Sequence, residues 1–170
     1  VKVKIKTPEN ITLVTAEQYA NAAITAGVTD AEIEVAAVSK VTGESALTGV
    51  YKAFEANGVQ LDAKRTEVAQ QELEVTNKIA QENANAKGFD SSKLDKAMIE
   101  IKKELAELKQ KQGQLATKED IERIINDALK NNSLQNVISQ DQINALVAFA
   151  QNYQNTSAID SKQVLEQLNS

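Results

Sequence analysis

The sequence predicts an α+β protein: a small β-α-β-α unit over residues 1–58, followed by a mainly helical region that opens with a long helical hairpin. Three observations lead there. Residues 1–7 alternate Val-Lys-Val-Lys-Ile-Lys, the period-two pattern of a strand with one covered face. Four of the six glycines and the only proline fall within the first 58 residues, so that block is punctuated by turns while the remainder is not. Beyond residue 60 apolar residues recur at intervals of three and four, the period of helices.

Taken in order, Val1 to Thr7 is the first strand, and Pro8 to Thr12 breaks it. Thr15, with Gln18 three residues on, forms a capping box that opens a helix, and Gly27 stops it. Ala16, Tyr19, Ala20, Ala23 and Ile24 share one face of that helix. A turn at Thr29-Asp30 leads to a second strand over Glu32 to Ser39, with Ile33, Val35 and Ala37 on one side. Val41-Thr42-Gly43 connects to a second helix from Ser45 to Ala56, closed by Asn57-Gly58. Two strands joined by a helix of this length predict a right-handed parallel crossover. The unit carries a thin internal recurrence: Ile11-Thr12 returns as Val41-Thr42, Tyr19 as Tyr51, and Gly27 as Gly58. A two-stranded sheet is marginal by itself, so further strands, a partner or cover from later helices are expected.

Residues 59–116 read as the hairpin. One helix runs from Gln60 to about Ala86, with Val68, Ala69, Leu73, Thr76, Ile79, Ala80 and Ala84 along a narrow stripe. Lys87-Gly88-Phe89-Asp90 turns the chain. In the next helix Leu94, Met98, Ile101, Leu105, Leu108, Gln112 and Leu115 alternate by four and three, which is a heptad seam. Such a seam packs either on the preceding helix or on another chain, and self-association through Leu94, Met98, Ile101, Leu105 and Leu108 is the partner reading it supports. Residues 117–170 form short helices expected to pack on the core. Thr117 with Asp120 opens one, burying Ile121, Ile124, Ile125 and Leu129. Ser139 with Gln142 opens another, lined by Ile143, Leu146, Val147, Ala150 and Tyr153. Asp160 to Leu168 is the last.

Residue types narrow the chemistry. The chain has no histidine and no cysteine, which removes His-dependent nucleophilic triads and the usual zinc, copper, haem and iron–sulfur ligand sets. Carboxylate chemistry, a Ser-Lys pair and an oxygen-ligated cation stay open. No cofactor is implied. The net charge is −5 with both signs interspersed, so no basic face exists to displace counterions from a nucleic acid. Lys2, Lys4 and Lys6 read as the solvated side of an edge strand. No apolar run approaches the roughly 20 residues of a membrane span. No signal peptide is visible, and a start at Val1 reads as a mature or trimmed form.

Two places could bind or react. Thr42, Gly43 and Ser45 sit where a strand gives way to a helix, and exposed N–H groups at such a start favour an anion or a carboxylate. Ser45 also stands near the position of a nucleophile in a Gly-x-Ser-x-Gly elbow, but Leu47 replaces the last glycine and no histidine can activate the hydroxyl. The plainer reading makes Ser45 a helix cap and Gly43 a turn residue. Glu32 and Glu34 share a strand face, as paired acids or as an ordinary solvated edge.

Pro8 to Thr12, Tyr19 to Val28 and Val41 to Phe54 together resemble the YpuA-like family of uncharacterised exported bacterial proteins, and Ile138 to Phe149 resembles that family's C-terminal helix. The resemblance implies an extracellular or cell-envelope location and a longer N-terminal portion than is present here. The family has no established catalytic residues, so none is carried across. The sequence therefore leads to an exported, non-enzymatic protein that binds or scaffolds at the bacterial cell envelope. The alternative is a hydrolase or ligand-binding enzyme whose site at Thr42 to Ser45 is completed by an absent N-terminal segment.

Overall fold

A computed structural model describes residues 2–6, 11–12, 16–28, 32–35, 41–42, 49, 51–52, 55, 60–160 and 162–168. The elements are β1 (Lys2–Ile5), β2 (Ile11–Thr12), α1 (Ala16–Ala26), β3 (Glu32–Val35), β4 (Val41–Thr42), α2 (Ala63–Glu82), α3 (Ser91–Gln112), α4 (Lys118–Asn131), α5 (Gln140–Gln154), a 3-10 turn (Ser157–Asp160) and α6 (Lys162–Leu168). The chain divides into two compact units, Val1–Asn77 and Lys78–Ser170.

The expected α+β class is corrected: the protein is mainly helical. Its four described strands are two to four residues long and pair only two by two, so among the described residues no larger β-α-β-α sheet is formed. The physical reason is size. Two-stranded ladders of this length cannot bury a core of their own, and three or more strands or a helix cover are needed. β1 and β3 run parallel, with Lys2 facing Glu32 and Lys4 facing Glu34 in register. β2 and β4 are a second parallel pair that the sequence reading treated as a break and a connection. The recurrence of Ile11-Thr12 as Val41-Thr42 is this pairing, because Ile11 faces Val41 and Thr12 faces Thr42. Of the second predicted helix, Gly49, Tyr51, Lys52 and Glu55 are helical; its remaining residues, and 36–39 of the second predicted strand, lie outside the described ones.

The core of the first unit is helical. α1 is buried from Asn21 to Ala26, together with Gln18 and Tyr19. It ends as the sequence predicts. Gly27 takes φ +101°, its N–H reaches the Ile24 carbonyl, and the Val28 N–H reaches back to Ala23, which is a Schellman closure. α2 is capped by Asp62, whose carboxylate accepts the N–H groups of Lys64 and Arg65 at 2.8 and 3.2 Å. It stops at Glu82, short of the predicted Ala86, where the Asn83 amide donates to the Ile79 carbonyl. Asn favours such local bonds over helix continuation.

In the second unit α3 packs against α4, α5, the 3-10 turn and α6. Leu94, Met98, Ile101 and Leu105 are each at most 1% exposed, and Ala97 and Ala106 beside them are also buried. That stripe is wider than an a/d seam, as expected of a helix covered by several neighbours. The apolar seam is therefore occupied by this chain's own helices along most of its length, while Leu108 is half-buried and Leu115 is 39% exposed.

Capping sets the ends of these helices. Asp90 caps α3 through the Ser92 N–H, and Gly113 closes it at φ 69°. Thr117 with Asp120 and Ser139 with Gln142 form the two predicted capping boxes. Backbone and side-chain bonds from Ser92 hold the Asp90 carboxyl below the ordinary value of 3.8, and those from Thr117 do the same for Asp120. A carboxyl depressed in the folded state contributes stability above its unfolded value that is lost as pH falls through the folded one. Acidification below 3.8 is thus expected to lower the thermal midpoint, and the Asp90→Asn/Asp120→Asn variant to show a shallower acid limb in circular dichroism melts. Equal acid limbs would remove the caps from this account.

Candidate functional site

Of the predicted turn site, Thr42 lies in β4 opposite Thr12, and Gly43 and Ser45 lie outside the described residues. Glu32 and Glu34 pair along the backbone with Lys2 and Lys4 in the β1–β3 register. Among the described residues no group of three or more acidic side chains could hold a metal ion. The structure instead draws attention to two clusters that the sequence reading did not single out.

The first lies within the first unit. Arg65, on the first turn of α2, donates from Nε to the Thr25 carbonyl at 3.0 Å and from Nη2 to the Ile24 carbonyl at 3.2 Å. Both carbonyls lie in the last turn of α1, where that of Ile24 also accepts the Gly27 N–H, and a cation suits that end of the helix dipole. About two turns further along α2, Glu72 is 2% exposed and accepts the Thr25 hydroxyl at 2.6 Å. Tyr51 is close enough to feel that carboxylate. Burial, followed by the charge of Glu72, pushes its phenol well above the ordinary 10.0. Among the described residues its hydroxyl has no hydrogen-bond partner. A phenol so displaced stays protonated at physiological pH and cannot serve as a base. The cluster ties α1 to α2, and its chemistry is structural.

The second cluster lies in the second unit, where α3 and α4 flank a groove of about 490 Å³. Its two walls are adjacent because the short connection 113–117 returns the chain antiparallel. That connection is pinned by Gln154, whose amide exchanges two 3.0 Å hydrogen bonds with the backbone of Ala116. At the far end Glu100 accepts from the amides of Asn131 at 2.6 Å and Asn132 at 3.0 Å. Asn132 also donates to the Ala128 carbonyl, so the end of α4 is fastened to α3 and to itself. Leu108 and Ile124 line the groove beneath the charged residues.

From α3 the walls carry Glu104, Glu107 and Lys111; from α4 they carry Arg123, Asp127 and Lys130. Arg123 makes one 3.3 Å pair with Asp120. The side chains of the other five have no hydrogen bond or ion pair among the described residues. Exposed charges of both signs around the two apolar side chains Leu108 and Ile124 can recognise ions and polar groups. Among the described residues, none of the groove's exposed carboxylates is hydrogen-bonded to a second titratable side chain apart from the Asp120–Arg123 pair beside it. The sequence did contain a signal for this groove, because Glu104, Glu107 and Lys111 follow helical spacing beside the heptad seam. Which helix would stand opposite was not legible.

The described parts thus define a mainly helical protein whose accessible polar chemistry is exposed and ionic. The chain belongs to the family described as a protein of unknown function (DUF1002), which matches residues 1–170. It is similar to the uncharacterised protein YpuA of Bacillus subtilis (strain 168), with 37% identity over 166 residues, covering 94% of this chain and 51% of the relative. The chain therefore spans about half the length of the relative it matches. No solved structure matches it. No described helix is long and apolar enough to cross a membrane.

Proposed function

We propose that this is a non-enzymatic binding or scaffolding protein, exported and acting at the bacterial cell envelope. The observation that carries the reading is the groove between α3 and α4, which offers unpaired surface charge on rigid, capped helices and no buried acid–base pair. The absence of histidine and cysteine from the chain supports the same choice. The envelope location rests on the resemblance of Pro8 to Thr12, Tyr19 to Val28 and Val41 to Phe54 to exported relatives.

Fractionation of bacteria producing the full-length family member with an epitope tag tests the location. The protein is expected in the medium or the envelope fraction, and recovery in the cytosol alone overturns that part. Hydrolysis of a peptide, glycan or ester panel that disappears in Ser45→Ala would overturn the non-enzymatic part in favour of a site at Thr42 to Ser45.

A further inference from the structure

We draw no further inference here: the strongest candidate, the side-chain cluster of Thr25, Glu72 and Tyr51 where α1 meets α2 in the first unit, belongs to the helix junction already described, and among the described residues nothing beside it points to a ligand.

Discussion

Replacing Leu105 by alanine is expected to lower the unfolding free energy by about 2–5 kcal/mol, the cost of lost transfer energy plus an incompletely collapsed cavity. Leu105 is 1% exposed on the face of α3 that its neighbouring helices cover. The same change at Leu115, which is 39% exposed, is expected to cost less than about 0.5 kcal/mol. The two leucines belong to one heptad pattern, so the contrast separates two meanings of that pattern. If the seam joins two copies of the chain, both substitutions shift the association state seen by light scattering, with little change at high dilution. If it packs inside the chain, Leu105→Ala lowers the urea midpoint at every concentration. The burial of Leu94, Met98 and Ile101 beside it leads to the second outcome.

Gly27→Ala is expected to be the most damaging single-methyl addition in the first unit. Two effects combine there. At φ +101° an L side chain is strained, at a cost of roughly 1–2 kcal/mol. The new Cβ would also stand 3.2 Å from the Cζ and Nη1 atoms of Arg65, the group that caps α1. Displacing that guanidinium weakens its bonds to the Ile24 and Thr25 carbonyls, and hydrogen bonds to a charged group are worth about 1.5–3 kcal/mol. Together these predict a loss of about 2–4 kcal/mol. A double-mutant cycle isolates the second effect: in an Arg65→Ala background, Gly27→Ala should cost only the backbone share. Strict additivity would show that the close approach carries no energy. Amide exchange in α1 gives a readout local to this unit.

Much of the helical half was legible because its signals are local. Thr117 with Asp120 and Ser139 with Gln142 each act within one turn of the residue that bears them, so spacing alone placed the starts of α4 and α5, whereas the seam pattern ran on to Leu115 past the Gly113 stop of α3. The buried residues of α4 followed from the same periodicity. In the first block, the alternation of Val3 and Ile5 with lysines located β1, and that of Ile33 and Val35 with glutamates located β3. It misjudged how much these strands organise, because period two reports a pleated backbone and not the number of strands that will meet. The repeat at Ile11-Thr12 and Val41-Thr42 was visible but was not read as a pairing register.

The predicted site was chosen by chemistry near a strand-to-helix turn, and the clusters at Arg65 and Glu104 were overlooked. Both depend on residues far apart in the chain. Arg65 reads as an ordinary helix-surface cation until the end of α1 is placed beside it, and Glu104 reads as solvated until α4 stands opposite.

What the sequence by itself determined is the approximate course of the helices beyond residue 60, the capping boxes that open α4 and α5, the Gly27 stop of α1, the missing catalytic residue types and the family to which the chain belongs. Those properties rest on backbone dihedrals, on hydrogen bonds spanning three or four residues, and on composition. What only the tertiary structure decided is that helices outweigh strands as the organising element, that the heptad seam is covered from several sides, and that charges on α3 and α4 line one groove. Such choices depend on which distant segments close on one another, where many small burial terms compete with chain entropy and no short stretch of residues carries the answer.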